Sequence, residues 1–306
     1  MNLWALISSI ILTFNLTSAP VQHLSTIELV QEGEYNSVVL HDKTYPSGNL
    51  PYKKNHNSLG VDITAQAAAV MDKDSGAILW QKNADQVRSL ASITKLMTAL
   101  VFLENNPGWN TEITLEKRDE ANSNAPNILR GETVTVKDLF YTSLIASDNN
   151  TANALVRSTG LDRNEFVGLM NKKAVNLGLD NTKFKDTTGL NQSNKSTALE
   201  ILKLANTAFA NQDIVEATAK QNYSFQAVTG KHHKIFSTNN LLNSYLDVVA
   251  GKTGFIFESG YCLVSEIKND NGDNIIAVVL GSETNLDRFQ DLKILSAWIL
   301  DNFVWS

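Results

Sequence analysis

The sequence predicts a mixed α/β (α+β) fold, a sheet-based domain with a helical region inserted into it. Three observations carry this. Strand-like runs closed by Asn/Asp/Gly turns lie near both ends of residues 61–306, the stretch from about 105 to 212 shows helical periodicity, and Leu286–Val304 reads as a closing amphipathic helix. With 306 residues, 43% hydrophobic and 19% charged, the chain can bury a core in one large domain or two smaller ones. Its net charge of -6 argues against a nucleic-acid partner. The single cysteine, Cys262, excludes an internal disulfide framework, and its apolar strand-like setting marks a buried thiol rather than a nucleophile.

Taken in order, residues 1–19 read as an export signal: an apolar run from Leu3 to Leu16, then the small residues Thr17-Ser18-Ala19. No Lys or Arg precedes the run and Pro20 follows the cleavage point, so an uncleaved N-terminal membrane anchor is the second reading. Residues 20–60, with Pro20, Pro46, Pro51 and several glycines, read as a linker or irregular cap, in which His23, His41 and His56 lack metal-ligand spacing. Ala67–Met71 and Ala77–Gln81 flank an Asp/Ser/Gly turn and read as a β-hairpin. Leu90, Ile93, Leu96, Met97, Leu100 and Val101 then mark a core helix of about four turns. Helices are expected over Lys137–Ala146, Thr151–Arg157, Asp162–Leu177 and Thr197–Phe209, with Asp162 and Thr197 as N-caps and Gly160 and Gly178 as helix ends. Strands return at Tyr223–Val228, His233–Phe236, Tyr261–Ile267 and Asn274–Leu280, before the closing helix.

Chemistry enters at Ser92-Ile93-Thr94-Lys95. On a helix, residues three apart share a face, so a buried lysine that has lost its proton could activate the serine hydroxyl. Free N–H groups at the helix start could hold an oxyanion. By itself Ser-x-x-Lys is common, and a second copy, Ser265-Glu266-Ile267-Lys268, lies in a strand-like run and reads as structural. Ser92 and Lys95 are singled out by companions. Ser147-Asp148-Asn149 lies between two predicted helices, where Ser147 could relay a proton and Asn149 hold a carbonyl or the lysine. Ser237-Thr238-Asn239 repeats that pattern but follows no comparable apolar helix. Lys252-Thr253-Gly254 precedes Phe255 in a strand-like setting, where Lys252 would supply a positive field that keeps Lys95 neutral, and the glycine allows close backbone approach.

The set Ser-x-x-Lys, Ser-x-Asn and Lys-Thr-Gly resembles that of penicillin-binding proteins and class A β-lactamases. Over residues 60–305 the chain resembles a serine-type D-alanyl-D-alanine carboxypeptidase, a low-molecular-mass penicillin-binding protein. Ala91–Met97, Met170-Asn171, Leu177-Gly178, Thr188-Gly189-Leu190, Ser196-Thr197-Ala198 and Ser259-Gly260-Tyr261 add to the match. The resemblance implies a β-lactamase/transpeptidase-like antiparallel sheet flanked by helices. It implies that Ser92 is acylated, that Lys95 is the base, and that Ser147 and Asn149 assist proton transfer and positioning. It further implies that Lys252 and Thr253, beside Gly254, bind the substrate's carboxylate end. The N–H groups of Ser92 and Phe255 would form the oxyanion hole. Arg288, near the final helix, would hold the terminal carboxylate. The partners implied are a peptidoglycan stem peptide and β-lactam antibiotics, with no metal or organic cofactor, at an exported location. Oligomeric state leaves no signature. The family's C-terminal β-rich domain and anchor have no counterpart here, which leaves residues 3–16 as the expected attachment. Asp186 and Asn194-Lys195 depart from the family pattern, and are expected to touch the helical region rather than the reacting groups.

Three activities follow as alternatives. A carboxypeptidase or D,D-endopeptidase would acylate Ser92. A class A β-lactamase needs a carboxylate for deacylation, and Glu165, Glu200 and Glu216 all lack its expected setting. A non-catalytic wall-binding protein ranks last, since all three motifs are intact.

Overall fold

The computed structural model describes residues 50–54, 58, 60–121, 126–269 and 271–305. The export-signal reading, and most of the 20–60 linker with its three histidines, lie outside these residues. Five strands build the central sheet: β1 (Ala67–Asp72), β2 (Ile78–Lys82), β3 (Asp247–Ile256), β4 (Gly260–Lys268) and β5 (Asn274–Ser282). They run antiparallel in the order β3-β4-β5-β1-β2, so strands from the two ends of the domain meet where β5 pairs with β1.

Period-two alternation gives the sheet two apolar faces. Ala67, Ala69, Met71, Val264, Ile276, Val278 and Leu280 enter one core, while Ala68, Val70, Leu263, Ile275, Ala277 and Val279 enter the other. The helices are α1 (Thr94–Glu104), α2 (Val136–Ile145), α3 (Asn149–Ser158), α4 (Arg163–Asn176), α5 (Ala198–Phe209), α6 (Gln212–Thr218) and α7 (Asp287–Asn302). The first core holds α1 and α5, and the second packs Phe289, Leu292, Leu295 and Ile299 of α7 against the opposite face. Residues Thr94–Phe102 of α1 are all buried, the pattern of a helix enclosed on every side. Asp162 and Thr197 cap α4 and α5 as expected, each accepting a backbone N–H. Gly160 and Gly178 take positive φ just past helix ends.

The structure departs from the sequence reading in four places. Asn222–Gln226 and His232–Phe236 form a hairpin that, among the described residues, joins no other strand, and it packs on the helical side through Tyr223, Phe225 and Ile235. Alternation marks a strand but not the sheet it joins. Strand β3 is ten residues long, although Lys252 and Thr253 interrupt its apolar pattern. Tyr52–Lys53, within the expected linker, pairs with Phe303–Val304 at the end of the closing helix. Ser92 sits in a 3-10 turn, Ala91–Ile93, and α1 proper begins at Thr94, so the helix has about three turns rather than four. Among the described residues, no helix is long and apolar enough to cross a membrane.

Candidate active site

The site forms where three segments converge: the 3-10 turn and first turn of α1, the α2–α3 junction, and the edge strand β3. Ala91 enters the turn with φ +46, an unusual backbone for alanine, and sets Ser92 ahead of the helix. Ser147 likewise has φ +58, directly after α2. Asp148 caps α3 by accepting from Thr151 N at 2.9 Å, and it also holds the backbone N–H and side-chain amide of Asn127 at 2.8 and 3.0 Å. That carboxylate fixes the junction, and Asn149 follows it as the first residue of α3.

Lys95 is 1% exposed, and its Nζ lies 3.0 Å from Ser92 Oγ. It donates to Asn149 Oδ1 at 2.6 Å and to the Thr188 carbonyl at 2.8 Å. Both partners are pure acceptors. A neutral amine has two N–H groups for them, which leaves its lone pair as the group that faces the Ser92 O–H. Burial lowers the Lys95 pKa to about 7, against the opposing pull of Asp148 and Asp186. The lysine is thus poised to change protonation near neutral pH.

Lys252, also buried, donates to Ser147 Oγ at 2.8 Å and to the Thr253 carbonyl at 2.9 Å. Burial, then Lys95 and Arg288, push its pKa well below the usual lysine value. A side chain at Gly254 would come within 2.9 Å of the Leu90 carbonyl and 3.2 Å of Ser92 N, so glycine lets β3 lie against the serine turn. Phe255 stacks on Tyr261 with ring centres 4.3 Å apart. Arg288, in the first turn of α7, donates to the Gly254 carbonyl at 3.1 Å and lies over the rings of Tyr261 and Phe289. Burial lowers it to about 10, and no carboxylate among the described residues pairs with it. Ser92, Ser147, Asn149, Thr253, Gly254, Phe255 and Arg288 line one cleft of about 310 Å³, and Lys95 and Lys252 reach its floor through Ser92 and Ser147.

Residues 52–284 match the D-alanyl-D-alanine carboxypeptidase family. The D-alanyl-D-alanine endopeptidase of Haemophilus influenzae is 34% identical over 226 residues, 72% of this chain and 76% of that one. The D-alanyl-D-alanine carboxypeptidase of Streptomyces sp. strain K15 is 33% identical over 238 residues, 72% of this chain and 81% of that one. The crystal structure of the Streptomyces K15 DD-transpeptidase superposes with a TM-score of 0.74 at 30% identity, covering 80% of this chain and all of that one (100%). Penicillin-binding protein D2 of Listeria monocytogenes, in its cefotaxime-bound form, gives a TM-score of 0.69 at 30% identity, over 79% of this chain and 99% of that one.

The chain belongs to the D-alanyl-D-alanine carboxypeptidase family of serine peptidases.

Against that family, two expectations need correction. Burial lowers the Lys95 pKa as expected, but the field of Lys252, expected to add to it, is not among the causes. Asp186 and Asn194, the departures expected to be remote, instead hold the loop whose Thr188 carbonyl meets Lys95. The sequence also passed over Thr238, whose hydroxyl lies 2.5 Å from that of Thr253 in the cleft. Its signal is the Ser237-Thr238-Asn239 repeat of the Ser-x-Asn pattern, which ranks below Ser147 in the sequence. Asn127 and Asn285 also line the cleft without belonging to any motif, and Tyr261 of Ser259-Gly260-Tyr261 joins them. Cys262 is buried in β4, and burial raises its thiol pKa, as its apolar setting implied.

Proposed function

We propose that the chain is a serine-type D-Ala-D-Ala carboxypeptidase that acts on peptidoglycan stem peptides through an acyl-enzyme on Ser92. The observation that carries this reading is the Lys95 amine, 3.0 Å from Ser92 Oγ, with its two N–H groups committed to Asn149 and Thr188. Ser92 Oγ attacks the carbonyl carbon of the penultimate D-alanine, and its proton passes to Lys95 Nζ. The N–H groups of Ser92 and Phe255 receive the oxyanion. Collapse breaks the peptide bond, and the leaving D-alanine nitrogen takes its proton from Ser147, which is hydrogen-bonded to Lys252. The proton that Lys95 took from Ser92 then restores Ser147, leaving Lys95 neutral. Water attacks the ester as Lys95 takes one of its protons, and Lys95 returns that proton to Ser92 Oγ as the ester C–O bond breaks. Thr253 and Arg288 bind the terminal carboxylate; the Arg288 guanidinium, which donates to the Gly254 carbonyl but meets no carboxylate among the described residues, supports that role. The same acylation by a β-lactam would give a stable adduct.

The H. influenzae relative named an endopeptidase supports a second reading, cleavage of D-Ala cross-links. β-Lactamase turnover has less support. The only carboxylate among the described residues lining the cleft is Asp148, which is occupied by Asn127 and Thr151. Glu200 is bound to Asn181 and Thr182, and Glu216 to Tyr141. Peptidoglycan as substrate places the enzyme outside the cytoplasm, after export directed by residues 1–19 or anchoring through them. Mass spectrometry of products decides among these. Release of D-alanine from a synthetic pentapeptide ending D-Ala-D-Ala supports the carboxypeptidase, cleavage of purified cross-linked muropeptides alone supports the endopeptidase, and no reaction with either substrate contradicts both.

A further inference from the structure

The Lys95 amine needs a fixed acceptor at the Thr188 carbonyl if its lone pair is to face Ser92, and that carbonyl sits on a loop with no regular structure of its own. The Asp186 carboxylate organises the loop. Its Oδ1 accepts from Thr188 N at 2.8 Å and Gly189 N at 2.6 Å, and its Oδ2 accepts from Asn191 N at 2.6 Å. Three backbone donors thus converge on one side chain, and the Thr188 carbonyl within the turn accepts from Lys95 Nζ. Asn194, fully buried, clamps the arrangement from behind. Its Oδ1 accepts from Lys185 N and Asp186 N at 2.7 and 3.1 Å. Its Nδ2 reaches Asp186 Oδ1 at 3.1 Å and Thr94 Oγ1 at 3.0 Å. Thr94 lies between Ser92 and Lys95, so the same amide ties the loop to the catalytic turn. Gly189 seals the contact, since a Cβ there would fall 1.9 Å from the Ala91 carbonyl oxygen.

We propose that Asp186, braced by Asn194, is a positioning residue for acylation of Ser92, holding the Thr188 carbonyl against Lys95 so that the amine presents its lone pair to the serine. This rests on the acyl-enzyme reading above. A carboxylate suits the task better than an amide because both of its oxygens accept. The same charge favours protonated Lys95 and so opposes its use as a base. The charged groups around Lys95 are Asp148 at the α2–α3 junction, Asp186 on this loop, Lys252 on β3 and, beyond it, Arg288 on α7.

The two functions of Asp186, geometry and charge, separate in two variants of the full chain. The test is the rate of covalent acylation by benzylpenicillin from pH 5.5 to 9, corrected for folded fraction. Asp186→Ala loses the acceptors, and its plateau rate falls by about tenfold or more. Asp186→Asn keeps one acceptor oxygen for Thr188 N and Gly189 N, loses the acceptor for Asn191 N and removes the charge. Its acid limb moves down by about half a pH unit, so at pH 6 it retains about two to three times the share of its own plateau that the wild type retains. An unmoved limb in Asp186→Asn, or an undiminished plateau in Asp186→Ala, overturns the assignment. If Asp186→Ala does not fold, the plateau of Asp186→Asn, which lacks the acceptor for Asn191 N, takes its place, lowered in favour and undiminished against. Wild type that fails to acylate at Ser92 would instead refute the acyl-enzyme reading itself.

Discussion

Ser-x-x-Lys occurs twice in this chain, and the two copies end in opposite places. At Ser92 the spacing falls on a helical turn, both side chains share one face, and the amine lies 3.0 Å from the hydroxyl. At Ser265 it falls on β4, where residues three apart face opposite sides. Ser265 is buried and donates to the Ala250 carbonyl at 2.7 Å, while Lys268 is exposed. A tetrapeptide becomes chemistry only when backbone geometry brings its ends together and burial strips the lysine of its proton.

That contrast can be broken by substitution, most sharply at the serines. Ser92→Ala should cut covalent capture of benzylpenicillin by about a thousandfold or more, read by intact mass, whereas Ser265→Ala should leave capture per folded molecule unchanged. Adduct found on a peptide containing Ser265 would reverse the assignment. At the lysines, Lys95→Met should slow acylation by about 10²–10⁴-fold, and Lys268→Met should do nothing measurable in the same stopped-flow assay. The helical copy also depends on what lies beside it. Gly254→Ala forces a methyl toward the Leu90 carbonyl and Ser92 N, displacing the serine turn, and should cost about tenfold to a hundredfold in acylation per folded molecule together with a lowered thermal midpoint. The smallest effect belongs to the strand copy. Loss of the Ser265 hydrogen bond should destabilise the fold by about 1 kcal/mol, visible as a lower urea midpoint at unchanged slope.

The same contrast explains how much was legible beforehand. Local periodicity announced α4, α5 and the β1–β2 hairpin, because their patterns and caps depend on neighbours in sequence. The three motifs announced Ser92, Lys95, Ser147, Asn149 and Lys252, and the structure gathers all of them around one cleft. What escaped notice depends on tertiary placement. Thr238 gained its position from a strand fifteen residues on, and Asp186 its importance from a carbonyl two residues away that meets a helix nearly a hundred residues earlier in the chain. The two strands of the hairpin at 222–236 were legible, but not that they pair with each other apart from the central sheet, since alternation carries no address.

The pH dependence of acylation tests the central claim most directly. Below about pH 7 a protonated Lys95 has no lone pair, so the sign is fixed: activity is lost as pH falls through that value and retained above it. The account predicts that the second-order rate of benzylpenicillin acylation rises about tenfold per pH unit below about 7 and then levels off. A rate flat from pH 5.5 to 9, or one still climbing toward the ordinary lysine range, would contradict it.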